Sequence, residues 1–431
     1  MRKRLLTGLT VSWFLLSGSA AGNVDRDAVP DPVIVEIRII GLETTKEWVV
    51  RRELASRTGD PYSPRKVAED YRNLDRLGIF SEISIYPAEE DSGVVLFVIV
   101  EETFPYIPVV SVSIDDENGL SAGGGLKSVN LLGRGIYFSG GARFGGAFTT
   151  EIALRHPWVA GDHIGYEIEY YRRERRNEIF EFDETADEVY LTVSSYAGSS
   201  GRVGVRLWYQ GIAGGGGRNL LSADGRDEVA GAALFAGVDT RDIPSNPHRG
   251  WWSEAELGRS GIFGSDSDFW RMRLDLRRFA QLAPRQTLAF FTLLTLSSGS
   301  VGEEMARWQQ YAIGGSNSVR GWSLGSKAGG SELLGTLEYR LDLMPPRPVG
   351  RFGVNAFLGL QLAVFLDAGT VWNGIEEAHD NLLAGGGLGA RLIVPYVDMV
   401  RFDLGFGEQD EGFFVHIAFG GKADAQRRRV R

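Results

Sequence analysis

The residues with the clearest chemical intent lie between Gly314 and Trp322, in the run Gly-Gly-Ser-Asn-Ser-Val-Arg-Gly-Trp. Arg320 stands there between Val319 and the Gly321–Trp322 pair, with two glycines just upstream. A guanidinium is a rigid fork of donors that suits a carboxylate better than a lysine ammonium does. The expected chemistry is recognition: a tight loop that aims Arg320 at fixed carboxylates. A plain surface loop carrying an arginine is the competing reading of this run taken alone.

Other candidate chemistry is thinner. Gly119-Leu120-Ser121-Ala122-Gly123 spells the nucleophile-elbow pattern, but that elbow needs a strand-to-helix turn, and a hairpin between short strands is expected here. The histidines, His156, His163, His248, His379 and His416, are dispersed without metal-ligand pairing. Gly214 to Gly217 lacks the lysine of a phosphate-binding loop. No enzymatic role, metal or cofactor is expected.

The elements that must position Arg320 belong to an exported chain. Arg2, Lys3 and Arg4 precede the mostly apolar Leu5 to Leu16 and the small, neutral Ser17 to Gly22, so residues 1–22 read as a signal peptide cut near Ala20 or Ala21. Its removal takes away three positive charges and no negative ones, moving the formal net charge from −10 to −13. Such acidity argues against nucleic acid as a partner. With no cysteine there is no disulfide scaffold. There are 57 glycines in 431 residues, nearly twice the usual share of about 7%. No later run reaches the roughly 18 apolar residues of a spanning helix. Two solutions remain: a large soluble all-β protein or a transmembrane β-barrel.

Residues 106–421 repeat segments of about ten residues in which polar and apolar side chains alternate. Val203, Val205, Leu207 and Tyr209 oppose Arg202, Gly204, Arg206 and Trp208; Arg271, Arg273, Asp275 and Arg277 oppose Met272, Leu274 and Leu276; Arg401, Asp403 and Gly405 oppose Phe402, Leu404 and Phe406. Alternation alone does not separate a sandwich from a barrel. The signal peptide, the charged faces and aromatics near strand ends (Tyr170, Tyr171, Trp208, Tyr209, Trp251, Trp252 and Trp372) favour a barrel of about sixteen antiparallel strands, an even number. Its first strand, near Val109 to Ile114, reads as short, and its last, near Gly412 to Gly420, ends in glycine. The seam between them, at Val110, Val112, Ile114, Val415, Ile417 and Phe419, is expected to be weak. A basic tail, 422–431, follows.

Residues 31–103 read as a small α+β module. Val33 to Ile40 is β-branched and ends at Gly41. Thr44-Thr45 can cap a helix over Lys46 to Leu54, and Ser63 with Pro64 can start a second, carrying Val67, Tyr71, Leu74 and Leu77 at helical spacing. Strands follow at Glu82 to Pro87 and Val94 to Glu101, giving the order β-α-α-β-β.

Leu77-Gly78-Ile79-Phe80 and Val100-Glu101-Glu102, in that order of elements, resemble a POTRA domain, a periplasmic module of outer-membrane assembly and secretion proteins. The barrel resembles the BamA-like superfamily of outer-membrane assembly and translocation proteins. The likeness rests on Asn130-Leu131-Leu132-Gly133-Arg134-Gly135, His156-Pro157-Trp158, Asp239-Thr240-Arg241-Asp242 with Pro247 and Gly250, Val319-Arg320-Gly321-Trp322, and Phe365-Leu366-Asp367-Ala368-Gly369. The resemblance implies a non-enzymatic insertase or translocase in the bacterial outer membrane. Its partners would be unfolded outer-membrane or secreted clients and the bilayer, with periplasmic chaperones or lipoprotein subunits as further candidates. It implies that clients add a strand to the POTRA edge at Ile83, Ser84, Ile85 and Tyr86, and that loop six folds into the lumen so that Arg320 meets Glu338 and Asp367. A two-partner secretion translocator is the sibling alternative, and a diffusion pore a further one.

Overall fold

A computed structural model describes residues 32–161, 163–198, 200–214, 218–243, 246–348, 357–394, 398–407 and 412–419. The signal peptide, the basic tail and Gly215 to Gly217 of the glycine run lie outside the described residues.

The N-terminal module runs β1 (Ile34–Ile40), α1 (Glu47–Glu53), α2 (Pro64–Arg76), β2 (Phe80–Glu90), β3 (Gly93–Glu102), with the sheet ordered β1-β3-β2. Ile34, Ile37, Leu96, Val98 and Val100 of the sheet close over Val50, Leu54 and Leu74 of the helices. The buried Asp70 of α2 holds the chain just past α1: its carboxylate accepts the Ala55 N–H and the Ser56 hydroxyl, each at 2.5 Å. The second helix starts at Ser63 and Pro64 as expected, and the first helix start differs. Lys46 is the N-cap of α1, and Ser63 caps α2 by backbone geometry alone. The two threonines are engaged elsewhere: the Thr44 hydroxyl donates to Glu102, and Thr45 Oγ1 accepts from Asn130 Nδ2 at 2.7 Å.

Sixteen antiparallel strands then form one sheet, from Tyr106–Asp115 to Phe413–Phe419, that curls until these two strands lie side by side. The first strand has ten residues, longer than expected, and the last has seven. Apolar side chains point outward and charged ones inward: Val203, Val205, Leu207, Met272, Phe402 and Leu404 are exposed, while Arg273, Asp275, Arg277, Arg401 and Asp403 are buried. That inverted pattern suits a barrel wetted by lipid outside and polar within. No described helix is long and apolar enough to cross a membrane. Some of the aromatics expected at the rim point inward instead. Trp208 is buried beside Tyr171 and Tyr190 inside the barrel, and Trp372 is buried as well. Strand alternation puts Trp208 on the lumen face with Arg206, whereas Trp372 shares its parity with the outward Val364 and Leu366 and is buried at the end of its strand.

The module docks on the near end of the barrel through the early motifs. Asn130 donates to Thr45 and accepts the Gly135 N–H at 2.7 Å, while the Lys46 N–H reaches the Gly133 carbonyl at 2.8 Å. Arg52 donates to the Trp158 carbonyl at 2.8 Å and stacks over both Trp48 and Trp158. His163 stacks on Trp158 and lies 3.2 Å from Glu53. The Asp239–Asp242 motif shapes another turn, where Asp242 Oδ1 accepts the N–H groups of Ile243, His248 and Arg249. Ser121 is on a strand, hydrogen-bonded in both directions to Ala147, with no helix after it.

Candidate functional site

Between strands Gln286–Ser297 and Ser331–Pro348 the chain makes a long far-end excursion, loop six. Its stem is a short hairpin, Tyr311–Ile313 with Lys327–Gly329. Its tip drops into the lumen, with Val319 packed among Leu293, Tyr311, Ile313, Leu334, Val371 and Leu383.

Arg320 is at 0% exposure. Its Nε donates to Asp367 Oδ2 at 2.7 Å and its Nη2 to Asp367 Oδ1 at 3.1 Å, a two-pronged grip completed by its own backbone N–H on Oδ2 at 3.1 Å. Thr336 donates to Asp367 Oδ1 at 2.8 Å and holds the carboxylate still. Nη1 is shared between Glu338 Oε2 at 3.2 Å and Asp403 Oδ2 at 3.3 Å. The guanidinium carbon lies 3.3 Å from the centre of the Phe365 ring, so the group is gripped at its edges and covered on one face.

Glu338 and Asp367 thus stand where the resemblance implied, while Asp403, Arg391, Arg401 and Phe365 complete a cluster that sequence reasoning did not assemble. Arg391 bridges Glu338 at 2.8 Å and Asp403 at 2.5 Å, Arg340 donates to Glu338 at 2.8 Å, and Arg401 donates to the loop's Asn317 Oδ1 at 2.9 Å. The missing signal was register between strands. Arg401, Asp403 and Gly405 had one face, and strand register pairs Gly389 with Asp403 and Arg391 with Arg401.

The tip lies against backbone because the wall has few side chains there. A Cβ on Gly385 would collide with the Arg320 carbonyl oxygen, and one on Gly405 would come within 2.5 Å of the Gly321 nitrogen. Gly321 itself has φ +93°, which favours glycine. Trp322 closes the tip, its Nε1 donating to the Ala384 carbonyl at 2.7 Å. Chemically the arrangement locks a loop; among the described residues no group of acidic or histidine side chains could hold a metal ion.

The tip also reaches the seam. Gly321 N–H donates to His416 Nε2 on the last strand at 3.3 Å, and His416 Nδ1 is 3.2 Å from Asp116 Oδ2, just past the first strand. Asp116 also accepts the Ser316 N–H at 2.5 Å. Burial pushes the Asp116 carboxyl up, but His416 and the Ser316 N–H outweigh it and hold it below the usual range. The residues expected at the seam lie on its two strands and face outward: Val110 and Val415 are 65% and 62% exposed, and Val112, Ile114 and Ile417 share their faces. Phe419 is paired in register with Val400.

A family model described as the Omp85 superfamily domain matches residues 130–420, and a POTRA model, surface antigen variable number repeat, matches residues 32–103. The outer membrane protein assembly factor BamA of Nitratidesulfovibrio vulgaris is 26% identical over 415 residues, 88% of this chain and 50% of that protein. The chain therefore spans about half the length of the curated relative it matches. BamA from Haemophilus ducreyi lacking POTRA domains 1–3 superposes with a TM-score of 0.68 at 17% identity, over 91% of this chain and 84% of that one. CdiB from Escherichia coli gives 0.65 at 13% identity, over 90% and 76%. Likeness at such identities establishes the shared fold, and the family model supplies the rest: this chain belongs to the Omp85 superfamily.

Proposed function

We propose that the chain is an outer-membrane insertase, its POTRA domain in the periplasm receiving client chains and its barrel inserting them at the seam. The observation that carries this reading is that the first and last strands, Tyr106–Asp115 and Phe413–Phe419, stand side by side as the two ends of the sheet with no ladder between their described residues. An unpaired edge offers backbone donors and acceptors to any extended client, whatever its sequence.

The POTRA edge supports the same reading. The outer side of β1 is occupied at its start by residues 59–62: Ile34 N–H bonds to Asp60 O and Gly59 N–H to Ile34 O, both at 2.8 Å. The outer side of β2 has no such cover among the described residues. There Ile83 and Ile85 anchor the strand in the core, while Ser84 and Tyr86 lie on its other face. A client would pair along Ile83 to Tyr86 and pass to the seam at Val110, Val112, Ile114, Val415, Ile417 and Phe419. No nucleotide is needed, since backbone pairing and apolar burial supply the free energy.

The shared fold with CdiB keeps a dedicated translocator as the second reading. Depletion of the protein followed by proteomics of the outer membrane tests both. Loss of many barrel proteins supports insertion, loss of one exported cargo supports translocation, and an unchanged outer membrane sinks both.

A further inference from the structure

We propose that Asp116 and His416 are positioning residues that bolt the seam shut through the tip of loop six. This rests on the reading of the seam as the working edge, and it names the groups that hold it. Where no backbone ladder joins the described residues of the first and last strands, Asp116 supplies a side-chain link from one to the other. One oxygen of Asp116 receives both His416, from the last strand, and the Ser316 N–H, from the loop tip.

The partners of His416 define its state. Nε2 accepts the Gly321 N–H, so it carries no proton, and Nδ1 faces a carboxylate, so it is the N–H. The imidazole thereby passes one hydrogen-bonded chain from Gly321 to Asp116. Phe414 stacks against it with ring centres 6.0 Å apart.

The turn that carries Asp116 is anchored from both sides. Its neighbour Glu117 pairs with Arg175 at 2.5 Å, on strand Ile164–Asn177 of the first strand's own half. The loop tip is anchored on the other half by Asp367, Asp403 and Arg401. Opening the seam at its far end must break the Asp116 bonds, and it leaves both anchors intact. The bolt is accordingly separate from the Arg320 latch: one holds the loop to the wall, the other holds the wall's two ends together.

The test uses the absence of native cysteine. Cysteines placed at the outward Val110 and Val415 carry nitroxide labels, and pulsed electron resonance in lipid nanodiscs reads their separation. Asp116→Ala should shift a substantial population to a separation longer by about one strand spacing, ~5 Å. Asp116→Asn keeps an oxygen that accepts both donors and should retain the short separation. His416→Ala is the second variant, read if Asp116→Ala yields no compact band on unheated gels; it should widen the seam in the same way. Unchanged separation in a compactly folded alanine variant overturns the bolt. Client insertion is measured on the same samples. Widening without any change in insertion rate keeps the bolt and counts against the seam as the insertion route.

Discussion

Arg320 and Asp403 meet at 3.3 Å although 83 residues separate them in the chain. The contact makes Arg320 common property of three strands, those carrying Glu338, Asp367 and Asp403, so its removal takes a guanidinium from three buried carboxylates at once; Glu338 and Asp403 keep Arg391, and Asp367 loses its two-pronged partner. Losing one partner of a buried pair costs about 3–5 kcal/mol. Arg320→Ala should keep the strands but reduce the compact, heat-modifiable form on gels. Arg320→Lys should be intermediate, because the charge stays and the fork is lost. Wild-type mobility and activity in Arg320→Ala would remove the latch from the mechanism.

Asp403 should prove as critical as Asp367. It faces Arg320, Arg391 and Arg401 together, at 3.3, 2.5 and 3.5 Å. Asp403→Asn leaves those guanidinium groups with less compensation, and about 3 kcal/mol or more of stability should go. Adding Arg391→Gln should restore part of that loss, since the two residues act as one unit. Urea unfolding of the single and double variants measures the coupling, and simple additivity would show that they act independently.

The fold was legible because its alternation is long and regular. Arg271 to Arg277 and Arg401 to Gly405 reveal their faces without any structure. The order β-α-α-β-β was legible for the same reason: hydrophobic period changes at Gly41 and Gly78. The latch was half legible. Arg320, Glu338 and Asp367 came from motif positions, whereas Asp403 and Arg391 needed the register between two strands, which a single sequence does not print. Thr44 and Thr45 misled because a threonine before a helix normally caps it, and here tertiary partners, Glu102 and Asn130, claimed both hydroxyls.

The glycine bed beneath the loop yields a prediction about backbone approach. Gly385→Val places a side chain where the Arg320 carbonyl lies, and no rotamer relieves the clash. The tip should lift from the wall while the barrel stays paired. Trypsin should then cut after Arg320, a bond whose flanking side chain is at 0% exposure in the native chain. Resistance equal to that of the unsubstituted protein would mean that the wall can yield and the close approach is not required.

Glu102 predicts an acid-sensitive joint between POTRA domain and barrel. Its carboxylate accepts the N–H groups of Glu43, Thr44 and Thr45 at 3.0, 3.1 and 2.8 Å, and the Thr44 hydroxyl. Burial pushes its pKa up, but these hydrogen bonds prevail and bring it from 4.5 down to about 2. The folded value is below the unfolded one, so the stabilisation is complete above pH 4.5 and fades as pH falls towards about 2. Thr45 is the residue that Asn130 grips, so loosening should spread into the docking contact. Hydrogen exchange at Glu43 to Thr45, corrected for the intrinsic pH effect, should speed up across that window in the native protein. In Glu102→Gln the same amides should exchange faster at neutral pH and lose their pH response, and protection unchanged by the substitution would assign the joint's stability elsewhere.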